Sequence, residues 1–75
     1  MITRLSLVES GKVVKIISID AGMGLARRLM EMGMFVGSTV TVVEQSFGHV
    51  IVDVRGARFA LGRGMANKII VEVLG

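Results

Sequence analysis

The chain has no cysteine, so no disulfide, thiolate metal site or cysteine nucleophile can exist, and its 75 residues hold together by packing alone. That usage suits a reducing cytoplasm. Tryptophan and tyrosine are also absent and only three phenylalanines occur. This leaves little for nucleic-acid bases to stack on, and too little to build the aromatic-lined groove that takes proline-rich peptides. His49 is the single histidine; it has no second histidine at ligand spacing and no evident nucleophile partner, and no paired-carboxylate motif is present, so no enzyme is expected. The longest uncharged apolar stretch, Met32 to Val43, is too short to span a bilayer and is broken by Gly33, Gly37, Ser38, Thr39 and Thr41. With no signal-peptide layout at the N-terminus, a cytoplasmic protein, neither exported nor embedded in a membrane, is the expectation.

What the chain does hold is apolar. Hydrophobic residues make up 52% of it, its mean hydropathy is +0.71, and its ten glycines fall singly between apolar runs. That is the composition of a globular domain rather than of a disordered segment. One domain over residues 1–75 is expected, of a size that buries only about 60% of the surface its unfolded chain exposes. The net charge of +3 rests on nine basic residues spread from Arg4 to Lys68, and scattered charge points to nucleic acid less strongly than a massed run does.

Lys12 to Ile19 is rich in β-branched residues and runs into Asp20, Ala21 and Gly22, which predicts a strand ending in a turn and leaves its inward face open. From Leu25 to Met32 the period changes. Leu25, Ala26, Leu29, Met30 and Met32 fall on one arc and Arg27, Arg28 and Glu31 on the other, which predicts an amphipathic helix that Gly33 is placed to end. At Thr39 the period returns to two, with Val40 and Val42 on one side. Ser46, Phe47 and Gly48 read as a loop; Val50, Val52 and Val54 form the next inward face; Arg55-Gly56 turns the chain. Ala57, Phe59 and Leu61 alternate after it, Arg63 to Lys68 has room for one helical turn, and Ile69, Val71 and Val73 share a face of a last strand. The fold class is therefore mainly β: about five short strands with one inserted α-helix and a helical turn before the last strand, curled into a small barrel that hides its edges.

Residues 21–38, AGMGLARRLMEMGMFVGS, carry the patterns that invite chemistry. Gly22-Met23-Gly24 precedes a helix, where backbone N–H groups can face an anion. Yet Arg27 stands where a dinucleotide fingerprint needs its third glycine, and the chain lacks the length for the crossover unit around it; a tight turn into the helix explains the pair more simply. The methionines at 23, 30, 32 and 34 offer thioethers to a soft metal, but Met30 and Met32 lie on the apolar arc and suit packing or an adaptable contact surface. Glu44, His49 and Asp53 approach one another if the two middle strands pair as a hairpin, a weak metal site set against a solvated loop histidine. Arg55, Arg58 and Arg63 form either one basic patch or a solvated rim; a small basic barrel binding nucleic acid is the alternative function they would serve. No cofactor is expected.

Read in order, the chain gives Lys12-Val13-Val14-Lys15-Ile16 after Gly11, then Gly-x-Gly-Leu-x-Arg-Arg-Leu-x-x-Met-Gly at 22–33. Gly37 before Val40-Thr41-Val42 follows, then Val54-Arg55-Gly56 before Phe59-Ala60-Leu61, and finally Leu61-x-Arg63-x-x-Ala66-x-x-Ile69. This set resembles the ferrous iron transport protein A (FeoA) family over nearly the whole chain. The resemblance implies an SH3-like barrel acting as a small, non-enzymatic, cytoplasmic accessory of bacterial ferrous iron uptake. Its implied partner is FeoB, the membrane ferrous iron transporter with a cytoplasmic G domain. The same barrel resembles the C-terminal domain of iron-dependent repressors, whose DNA-binding helical segment this chain lacks. Within this frame Leu25, Leu29 and Met32 are expected to seat the helix, and Leu25, Arg27, Arg28, Met30, Met34 and Phe35 to form the contact face, since Arg and Met are enriched at interfaces. Apolar residues exposed there would equally serve self-association.

Overall fold

Apolar residues at alternate positions, most of them valines, build most of the sheet. The computed structural model describes residues 1–75 and contains β1 (Ile2–Arg4), β2 (Val13–Ile19), β3 (Thr39–Gln45), β4 (His49–Val54), β5 (Ala57–Gly62) and β6 (Ile69–Val73). These strands form one antiparallel sheet in the order β1-β6-β2-β3-β4-β5. Val40, Val42, Val50, Val52, Val54, Leu61, Ile69 and Val71 all point into one core. Alternation predicts five strands and the structure has six. The additional one, β1, is three residues long and only its middle residue, Thr3, is partly covered, so its place comes from pairing with β6 and not from any period of its own.

The ambiguous face of β2 has a physical cause. Val14 and Ile16 are buried, but the register against β6 shifts between Ile16 and Ser18, and inward pointing resumes at Ile19. A bulge of one residue, Ile17, moves the inward set from even to odd positions. A second bulge in β3, between Val42 and Glu44, bends the sheet again.

Six strands about 4.8 Å apart would make a flat sheet thin in one direction; the Cα extents of 28 × 23 × 22 Å show that this one curls. The two end strands, β1 and β5, do not pair. Between them lie a 3-10 turn at Leu5–Leu7 and a short helix, α2 (Arg63–Ala66), which packs against β4, β5 and that turn. Polar side chains complete the seam: the Ser6 hydroxyl bonds the Asn67 side-chain oxygen, Gln45 Nε2 donates to Leu5 O at 2.9 Å, and Arg4 Nη1 donates to Asn67 O at 2.6 Å.

The inserted helix, α1, spans Met23–Glu31. Gly22 is its N-cap and supplies no side-chain bond; neither Gly22 nor Gly24 has a positive φ and a Cβ at either meets nothing within 4 Å, so the entry to the helix does not require glycine at these positions. The glycine that the backbone requires is Gly33, at φ +88°. Its N–H donates to Met30 O at 2.9 Å, and the Met34 N–H donates to Leu29 O at 2.8 Å. This pair of bonds is a Schellman motif, in which the residue after the glycine packs back on the helix's last turn. Met34 therefore falls in the core, fully buried with Leu29, and the expectation that it belongs to the contact face is overturned.

The β4–β5 hairpin turns on Arg55 and Gly56, both at positive φ (+53° and +88°), as a two-residue type I′ loop demands. Asp53 Oδ1 accepts the Gly56 N–H at 3.0 Å. Arginine is a poor occupant of this backbone region and asparagine a good one, and Arg55 takes part in no ion pair. Arg55→Asn is expected to stabilise the fold by about 0.5–1 kcal/mol, seen as a higher urea midpoint at an unchanged slope. A lowered midpoint would reveal a contact of the arginine side chain that offsets its strain.

Candidate functional site

Helix α1 is seated by few residues. Only Leu29 is fully buried, and Leu25 and Met32 pack on the core partly covered. The opposite side of the helix carries Met23, Arg27 and Met30, whose i, i+4, i+7 spacing puts them on one face; Met23 is 81% exposed and Met30 61%. Arg28 and Glu31 flank that stripe, also exposed. No ion pair holds Arg27 or Arg28, so both guanidinium groups are available to an external group.

The turn after α1 extends this surface. Ser38 ties it shut: its hydroxyl donates to Phe35 O at 2.7 Å and accepts the Phe35 N–H at 3.0 Å, and its N–H donates to Phe35 O at 2.9 Å. The Gly37 N–H bonds Ile16 O at 2.8 Å and fixes the turn to β2. Phe35 and Val36 are thereby held at the surface. Of the residues expected at the contact face, Arg27, Arg28, Met30 and Phe35 are exposed, Leu25 is half-buried at the margin, and Met34 is not part of it. Two exposed apolar neighbours were not expected, Met23 and Val36. The first was readable from its place in the 23, 27, 30 series; the exposure of the second follows from the Ser38 turn, which the periodicity does not encode.

The other candidate clusters come apart. Arg58 lies opposite Asp53 across the β4–β5 ladder, with Arg58 Nε 3.8 Å from Asp53 Oδ2. Arg63 is half-buried in the seam and bonds backbone carbonyls. Arg55 and Arg63 flank opposite ends of β5, roughly 20 Å apart at about 3.3 Å per residue. The single basic patch is therefore not formed. Glu44, His49 and Asp53 do not converge either: Glu44 pairs with Ile51, His49 with Gly62 and Asp53 with Thr41. His49 and Asp53 sit four residues apart on one strand, roughly 13 Å, and no three His, Asp or Glu side chains are placed to share an ion. Strand pairing alone brought these residues onto neighbouring strands without bringing them into register.

Residues 3–73 match the FeoA domain family. A protein of Methanocaldococcus jannaschii provisionally named Fe(2+) transport protein A is 41% identical over 68 residues, 91% of this chain and 83% of that protein. The crystal structure of an iron uptake regulatory protein, FeoA, superposes with a TM-score of 0.90 at 35% identity over 99% of both chains. A manganese-dependent transcriptional repressor superposes with a TM-score of 0.88 at 24% identity, 97% of this chain covering 41% of that longer one, which is a likeness of fold alone.

Proposed function

Because the chain belongs to the FeoA domain family and is a small protein associated with ferrous iron transport, we propose that it is a non-enzymatic cytoplasmic accessory of ferrous iron uptake. In this reading it docks on the cytoplasmic G-protein region of the FeoB membrane transporter and modulates or assembles it. No helix of the chain is long and apolar enough to cross a membrane, and the proposed meeting takes place outside the bilayer.

The observation that supports the reading is the face of α1 and its following turn. Met23 and Met30 are exposed along one face of α1 with Arg27 between them, Phe35 and Val36 are exposed on the turn that follows, and neither Arg27 nor Arg28 is held in an ion pair. Met, Phe and Arg exposed together on one surface are residue types enriched at protein interfaces. The experiment is calorimetric titration of the chain into the purified cytoplasmic region of the transporter. Arg28→Glu and Met30→Asp are each expected to weaken binding about tenfold or more, the loss typical of a central interface residue. Both side chains are exposed, so each change should alter folding stability by no more than about 1 kcal/mol, mainly through the helix dipole. If both variants fold and bind as the wild type does, the surface has been misassigned.

A further inference from the structure

The seam that closes the barrel holds a feature that docking through α1 does not use. The 3-10 turn, the residues after it and the β3–β4 loop enclose an open groove of about 590 Å³ whose walls include Leu7, Val8, Glu9, Gln45, Phe47 and Arg63. Its rims are apolar: Phe47 is 99% exposed and Leu7 64%. One of only three phenylalanines thus contributes nothing to the core. The loop that displays it is nevertheless tightly built. The Ser46 N–H and hydroxyl both reach His49 O at 3.0 Å, the Arg63 N–H donates to Gly48 O at 3.3 Å, and Arg63 Nη1 donates to Ser46 O at 2.9 Å.

Arg63 is the charge in this groove. Besides Ser46 O, it donates from Nη1 to Gln45 Oε1 at 3.5 Å and from Nη2 to Ser6 O at 3.2 Å. All three acceptors are neutral, and no carboxylate lies within ion-pair distance. A guanidinium has five N–H donors, so donors remain. Nε has no partner in the chain and is not fully buried, since no buried side-chain nitrogen is left unpaired. A cation fixed in place, with spare donors and an aromatic and an aliphatic wall, complements a carboxylate that stands beside a large apolar side chain. Glu9 lines the same groove, and its charge opposes a dianionic phosphate more than a single carboxylate.

We propose that this groove is a second docking site, taking an extended apolar segment of a partner protein that carries a single carboxylate. An Asp or Glu carboxylate of that segment pairs with Arg63, and its apolar neighbour packs on Phe47 and Leu7. The site shares no residue with the α1 surface, so either can fail without the other.

The test is a 15N–1H NMR titration of the full chain with a blocked peptide that carries one Asp between Leu residues, and with the same peptide carrying Asn for Asp. Saturable shifts are expected at the amides of Leu7, Phe47, Gly48 and Arg63, with the Asn peptide bound about tenfold more weakly because the charged hydrogen bond is gone. Arg63 also ties the seam together, so the decisive variant is Phe47→Ser, whose exposed ring supports nothing. It should leave the thermal midpoint unchanged and weaken the Asp peptide about fivefold or more, as loss of an apolar anchor does. Absence of saturable shifts, equal binding of both peptides, shifts confined to α1, or wild-type affinity of Phe47→Ser would each overturn the assignment.

Discussion

Replacing Gly33 by alanine is expected to cost about 2–5 kcal/mol of folding stability, from about 1–2 for a side chain in the left-handed region and about 1–3 for overpacking. The two contributions have separate causes. Gly33 sits at φ +88° because the Schellman motif that ends α1 needs that conformation. A Cβ built there would also stand 3.0 Å from Val54 Cγ1, and Val54 is a core residue only 4% exposed, so its side chain must shift within the packed interior. Gly56 supplies the control. Its φ is the same +88°, but a Cβ there meets nothing within 4 Å, so Gly56→Ala should show the backbone contribution alone. For a chain of 75 residues the whole stability is about 4–11 kcal/mol, which makes Gly33→Ala the more damaging change by a wide margin. Each kcal/mol moves the thermal midpoint of so small a domain by about 4–8 °C, so the overpacking contribution of about 1–3 kcal/mol separates it from the control by roughly 4–24 °C. Equal losses at the two glycines would mean that α1 does not press on β4.

The contrast between these glycines also shows how much the sequence discloses. Apolar residues at alternate positions reveal β3 to β6 because each strand keeps one face in the core; at β2 the bulge at Ile17 breaks the rule. The short strand β1 is invisible because Ile2 and Arg4 both face outward. The burial of Met34 does have a signal in the sequence: a leucine, then a glycine four residues on, then a methionine, is the pattern of a helix end whose last apolar residue folds back. The arginines show the limit. Arg28 and Arg63 look alike in a sequence, yet one is free on a helix and the other is bonded to Ser46 and to Ser6, 17 and 57 residues away. A site assembled from segments so distant, through backbone carbonyls that every residue possesses, leaves no compositional trace.

The seat of α1 links stability to the proposed docking. The helix has nine residues, no side-chain N-cap, a glycine in its first turn and no acidic residue there, a set that leaves an isolated helix of this length unfavourable in water. It persists because Leu29 is in the core. Leu29→Ala is expected to cost about 2–5 kcal/mol, toward the lower end because a helix flanked by Gly22 and Gly33 can settle into the space left. In hydrogen exchange the amides of α1 should open roughly 30–140-fold faster for a loss of about 2–3 kcal/mol. The comparison that matters is Leu61→Ala, a core truncation of the same kind on β5, away from the helix. Both variants lose stability of similar size, but only Leu29→Ala frees the element that carries Arg27, Arg28 and Met30. If the proposed surface is right, Leu29→Ala loses affinity for the transporter's cytoplasmic region under conditions where Leu61→Ala keeps it. If Leu29→Ala is destabilised as calculated and still binds as the wild type does, the packing account of α1 stands and the docking face lies elsewhere on the barrel.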